Sequence, residues 1–159
     1  MANTASGVVR KVWASVAAGL TAAVVEMAVV LPIQAKLGAT PAQVFQSIAA
    51  GAMGRAAFAG GAQAVALGVF FHTLISLVAA ALFVFATDRL PVLLRRPVIS
   101  GILYGVPCYV VMTFVVMPLS KIGFSMPKSL GLFSLSFGVH LFAFGLPISL
   151  VARAMLRLR

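Results

Sequence analysis

Acidic residues are almost missing from this 159-residue chain: Glu26 and Asp88 are the only two, against twelve lysines and arginines, and charged residues together make up 9% of the sequence. A soluble globular domain is usually about a quarter charged. That scarcity, with 62% hydrophobic residues and a mean hydropathy of +1.14, excludes an ordinary soluble domain and predicts an integral membrane protein. Cysteine is as scarce. Cys108 stands alone inside an apolar run, which excludes an intrachain disulfide framework and a cysteine-based metal motif and leaves it as a small core residue. Also missing are a Ser-His-Asp set, a glycine-rich phosphate loop and zinc-ligand spacing, so hydrolytic and phosphoryl-transfer chemistry have no residues to carry them. The expectation is a non-enzymatic protein with no catalytic residue, no metal site and no cofactor.

The net charge of +10 could point to nucleic acid, but the basic residues are not gathered into an aromatic-interleaved stripe. Most lie at the ends of apolar runs, where anionic lipid headgroups would meet them. The expected partner is therefore the lipid bilayer and not nucleic acid.

An α-helix needs about 20 apolar residues to cross roughly 30 Å of hydrocarbon. Four stretches without Lys or Arg meet that length, at about residues 12–31, 64–86, 98–117 and 130–152, and leave no room for a separate soluble domain. The first follows Arg10 and Lys11 and could be read as a signal peptide, but at about 20 residues it is long for a signal h-region; an uncleaved helix is expected. Arg10, Lys11, Arg89, Arg95, Arg96, Arg153, Arg157 and Arg159 fall on one side of this arrangement, and Lys36, Arg55, Lys121 and Lys128 on the other. The positive-inside rule then places both termini in the cytoplasm. The short inner connection between the second and third spans predicts that these two are antiparallel neighbours, with Asp88 pairing to Arg89 or Arg95.

On the outer side, Thr40-Pro41-Ala42-Gln43 has the form of a helix start, and Val44, Phe45 and Ile48 recur at helical spacing. A short amphipathic helix is expected at about residues 41–50, lying on the outer interface. Glycines at 51, 54, 60 and 61 then break the chain, so the segment from about 33 to 61 is either a flexible re-entry into the second span or a lid over an outward-facing cavity.

Helical periodicity places the few polar residues on stripes of small residues, which membrane helices use to approach closely. Ser15, Gly19, Ala22 or Ala23, and Glu26 form one stripe, and Gly68, His72, Ser76 and Ala80 another. The third span carries Gly101 and Gly105 as a GxxxG and continues that face through Cys108 and Met112; the fourth pairs Ser134 with Gly138 and Ser136 with His140. These glycines read as helix-packing positions, within one chain or between copies. Counting residues from the span ends puts Glu26, His72 and His140 in the outer half, with Ser76 and Ser136 close by, and a Glu26–His72 hydrogen bond would satisfy both groups.

Three readings of that cluster stand: structural glue, a protonatable site in a small transporter or proton pathway, and His72 with His140 as axial ligands of a b-type haem. A weak internal duplication accompanies them. Val29-Val30-Leu31-Pro32 followed by Lys36 matches Val115-Val116-Met117-Pro118 followed by Lys121, and the next span in each case carries one histidine. Met112 then stands where the first half has Glu26.

Thr40-Pro41-Ala42-Gln43-Val44-Phe45, Phe71-His72 with Ser76, Met117-Pro118-Leu119 and Gly138-Val139-His140 occur in an order that resembles the YagU-like family of small bacterial inner-membrane proteins, over nearly the whole chain. The resemblance implies a four-helix inner-membrane architecture without an established biochemical activity, a link to acid tolerance, and His72 and His140 as the positions carried over. The chain departs from the family at Thr113, where members have a histidine, and at Glu26, where they have a basic residue; the segment between Phe45 and Ala64 is also shorter. A role resting on a third histidine is therefore not implied. Residues and resemblance together predict an all-α four-helix bundle that self-associates or serves in a larger membrane assembly. The alternative is a small proton-coupled transporter or channel using Glu26 and His72.

Overall fold

The computed structural model describes residues 2–123 and 129–157; Lys128 and Arg159 lie outside the described residues, and Arg157 is described in its backbone alone. The chain is all-helical across these residues. In order come α1 (Ala2–Lys36), α2 (Pro41–Met53), a 3-10 turn at Gly54–Ala59, α3 (Gly61–Ala86), the short α4 (Val92–Arg95), α5 (Pro97–Leu119) and α6 (Leu130–Leu156). Of these, α1, α3, α5 and α6 are long and apolar enough to cross a membrane.

Local chemistry explains where these helices end and bend. α1 continues through Pro32, a residue that membrane helices tolerate, and stops where Gly38 turns left-handed at φ +87° and the Ala39 N–H donates back to the Gln34 carbonyl at 2.9 Å. α5 and α6 each contain a wide π-type stretch, Met112–Val116 and Val139–Gly145. Each stretch lies just before a proline, Pro118 or Pro147. Proline lacks an N–H and its ring crowds the preceding turn, and widening that turn makes room for it.

The long helices pack in the order α3, α1, α6, α5. Ala14, Ala18 and Ala22 of α1 share one core with Ala80, Phe83 and Val84 of α3 and with Phe144, Ile148 and Ala152 of α6. Glycines set the closest crossings. A Cβ on Gly19 would stand 2.8 Å from the Leu77 backbone of α3, and one on Gly105 would stand 2.4 Å from the His140 carbonyl of α6. Gly101 faces Leu146 in the same way, and Gly145, which periodicity did not single out, lies against the backbone of both Gly101 and Gly105. The GxxxG of α5 thus packs within the chain. The offset that aligns Pro32 with Pro118 also aligns Gly19 with Gly105, so the two halves of the weak duplication use the same crossing glycine. Gly138 has no neighbour within 4 Å of its Cβ position among the described residues and so does not pack within the chain.

Two expected neighbours differ from those observed. α3 and α5, although joined by a short connection, do not press backbone to backbone: α3 lies on α1 and α5 on α6. Tyr104 spans the remaining gap, donating its hydroxyl to the Ala79 carbonyl at 2.8 Å and setting its ring edge-on to Phe83. Asp88 pairs with Lys11 and not with Arg89 or Arg95. Proximity in sequence lost to proximity in space here, because the antiparallel packing of α3 on α1 brings the end of one helix to the start of the other. The Lys11 ammonium also lies 5.8 Å from the centre of the Phe85 ring.

The short amphipathic helix is α2. It opens with a capping box, Thr40 Oγ1 accepting from the Gln43 N–H at 3.2 Å and Gln43 Oε1 from the Thr40 N–H at 2.8 Å. Its buried face lies on α3, where Ala49 and Ala50 meet Ala57 and Ala64. Gly68 makes that contact possible, since a Cβ there would lie 1.9 Å from the Phe45 carbonyl oxygen. Beyond α3, the Gly51 carbonyl accepts from the Lys121 N–H at 2.8 Å, which ties the far end of α2 to the end of α5.

Because the Gly105 contact is backbone against backbone, Gly105→Val should force α5 off α6 and cost about 1–3 kcal/mol. Gly138→Ala should stay within about 0.5 kcal/mol of the parent. Thermal unfolding in detergent, followed by circular dichroism, measures both.

Candidate functional site

Glu26 lies on α1 about two turns beyond the tight crossing of Gly19 with α3, and α3 and α6 both contribute to its surroundings. From α3 comes His72, whose Nε2 stands 3.9 Å from the Glu26 carboxylate, with each side chain 12% exposed. That separation is too long for the expected hydrogen bond. His72 Nε2 instead bonds the Ala23 carbonyl at 3.1 Å. Because a carbonyl can only accept, Nε2 carries the proton. The Glu26 carboxylate is left with an imidazole neighbour and no hydrogen-bond donor among the described residues.

One turn along α3, Ser76 is fully buried and turns its hydroxyl back to the His72 carbonyl at 2.8 Å, so it braces the helix and offers nothing to Glu26. From α5, Cys108 is half-buried and, like Tyr104, packs against the core shared by α1, α3 and α6. From α6, His140 donates through Nδ1 to the Ser136 carbonyl at 2.9 Å, which leaves Nε2 of the neutral ring as an acceptor.

Glu26, Ser136 and His140 line one groove of about 340 Å³ between α1 and α6, with Gln34 further along α1. No residue of α2 lines it; the outer helix covers α3 and lines a neighbouring pocket that shares Gln34 and Leu37 with this groove. The expected cluster is therefore assembled in part. Glu26 contacts His72 and shares a groove with His140 and Ser136, while Ser76 is turned away.

Besides Ser149, whose fully buried hydroxyl also lacks a partner among the described residues, Tyr109 is a polar residue that periodicity missed. It is 3% exposed, lies edge-on to Phe133, Phe137 and His140, and its hydroxyl has no partner among the described residues. A tyrosine in an apolar helix was the available signal, because the ring carries a polar tip that burial must satisfy. The described residues contain no group of three His, Cys, Asp or Glu side chains able to hold a metal ion.

One family pattern matches residues 9–157, which takes in nearly all of the four long helices and every residue of this site. The chain belongs to DUF6789, a family of unknown function. No curated protein and no solved structure matches it. What a DUF6789 member does must here be read from its own side chains.

Tyr104 is the direct side-chain tie between α3 and α5 at this site. Tyr104→Phe keeps the ring contact with Phe83 and removes the bond to Ala79, so it should lower stability in detergent by about 1 kcal/mol, read as a drop in the thermal midpoint without loss of helix signal.

Proposed function

We propose that this protein is a small proton-coupled transporter or channel of the bacterial inner membrane, non-enzymatic, with both termini in the cytoplasm and Glu26 as the group that takes up and releases the proton. One observation carries the reading: the Glu26 carboxylate touches His72, accepts no hydrogen bond from the described residues, and opens onto a groove. A structural carboxylate in hydrocarbon is expected to be satisfied by donors, because an unmet charge there costs several kcal/mol. Among the described residues Glu26 has none, which supports a charge met by a group that comes and goes. The competing reading, self-association through small-residue faces, has less support because four of the five expected packing glycines, Gly19, Gly68, Gly101 and Gly105, are occupied inside the chain, while Gly138 is left open. The YagU-like resemblance supports the inner-membrane location, and the larger number of cations on the side of the termini supports the orientation.

In liposomes with an imposed pH gradient and an enclosed pH dye, the protein should collapse the gradient faster than protein-free vesicles do, and Glu26→Gln should remove at least nine-tenths of that excess. Undiminished flux in the variant would overturn the assignment of the proton to Glu26. Separately, a green fluorescent protein fused after Arg159 should fluoresce, because it folds in the cytoplasm; a periplasmic reporter active at the same position would reverse the orientation.

A further inference from the structure

The end of the molecule that holds Lys11 and Asp88 has almost no counter-charge. The whole sequence contains two acidic side chains; Glu26 lies beside His72, and Asp88 is taken by Lys11. Arg89, Arg95 and Arg96 stand at the Lys11 end, all three exposed, and none has an ion pair among the described residues. No side chain elsewhere can neutralise them, because the sequence holds no third acid.

Backbone hydrogen bonds fix the connection that carries these arginines. The Arg89 and Leu90 N–H groups donate to the Ala86 carbonyl at 3.1 and 3.0 Å, the Arg95 N–H to Pro91 at 3.3 Å and the Arg96 N–H to Val92 at 3.1 Å. Leu93 packs on the core that holds Ala152, and α4 lies against α5 and the last part of α6. Around that anchor the apolar surface is open: Leu90 and Val92 are each 52% exposed, and Val98 and Ile99, in the first turn of α5, are 51% and 53% exposed. Unneutralised cations and exposed apolar side chains thus share one rim.

We propose that this rim binds one anionic phospholipid, its phosphodiester met by Arg95 and Arg96, its acyl chains along Val98 and Ile99, and Arg89 adding to the positive field. The site is independent of Glu26. A guanidinium presents paired N–H donors that match phosphate oxygens. A soluble anion would satisfy the cations and leave the apolar neighbours in water, whereas a lipid meets both. α3 ends at Ala86 and α5 begins at Pro97, so the rim lies at the depth where headgroups meet hydrocarbon. Lys11, committed to Asp88, is left out of the set.

The test is native mass spectrometry of the full chain, released from micelles that carry equal amounts of phosphatidylglycerol and phosphatidylcholine with the same acyl chains. One phosphatidylglycerol per chain should remain bound, in about tenfold excess over phosphatidylcholine. An arginine at an anionic membrane surface is worth about fivefold in binding, so Arg95→Gln with Arg96→Gln should weaken retention by about tenfold or more, and Arg89→Gln alone by a few-fold. Because these side chains are exposed, the thermal midpoint in lipid-free detergent should not move. Lys36→Gln with Arg55→Gln, which removes the same charge at the opposite end, should leave retention within about twofold of the parent.

Equal retention of the two lipids would overturn the proposal. Equal loss from the two double variants would also overturn it, by reducing binding to net charge. Displacement of phosphatidylglycerol by inorganic phosphate or by a short RNA at matched phosphate concentration would overturn the choice of a lipid over a soluble anion.

Discussion

A helix surrounded by lipid gains little by burying leucine against leucine, so close helix contact depends on small residues that let backbones meet. In this chain that constraint decides the rest. Where glycines line one or both surfaces, at Gly19 against Leu77 and at Gly101 and Gly105 against Gly145, the helices close to backbone contact. α1 and α6 stay together through the core that holds Ala18, Ala22, Ile148 and Ala152. Further along, the facing positions become Val25, Val29, Leu135 and Phe142, and two grooves open between the same helices. Small residues make the seam, and larger ones wedge it apart.

Glu26 sits at that change. Its stripe continues Gly19 and Ala23, so the crossing that joins α1 to α3 also delivers His72 to the Ala23 carbonyl and holds its ring beside the carboxylate. The wide turn of α6 ahead of Pro147 includes His140. Proline chemistry in α6 and glycine chemistry in α1 therefore place the two histidines on different sides of one acid. Neither histidine offers that acid a hydrogen bond, since each directs a proton to a backbone carbonyl of its surroundings.

Much of this was legible in the sequence because membrane physics leaves few options. Length and apolarity marked the four long helices, Thr40 and Gln43 marked the start of α2, and the stripe of Gly19 and Glu26 marked the face of α1 that meets α3. What escaped was pairing between helices that are distant in the chain. Periodicity names the face of a helix and not its partner, so Asp88 was assigned to nearby arginines while its ion pair is with Lys11. Gly138 and Gly145 show the same limit from opposite directions. Both are glycines of α6, but one meets open space and the other a facing GxxxG, and the difference lies in the rotation of α6 through its π-type turn. Tyr109 escaped because its surroundings, Phe133 and Phe137, belong to another helix.

The duplication explains why a chain with so few acids keeps one where it is most costly. The alignment that superposes Gly19 on Gly105 puts Met112 opposite Glu26 and Tyr109 opposite Ala23. One crossing glycine is thus shared between the halves while the chemical positions differ. If Glu26 served packing alone, the second half shows that the same crossing forms without an acid, because α5 closes on α6 with methionine at the equivalent position. The carboxylate is therefore surplus to the fold. Its presence in a low-dielectric setting, beside an imidazole and at the opening of a seam that larger side chains prop apart, is a cost that packing does not require and that the proposed reversible binding of a positive charge would account for.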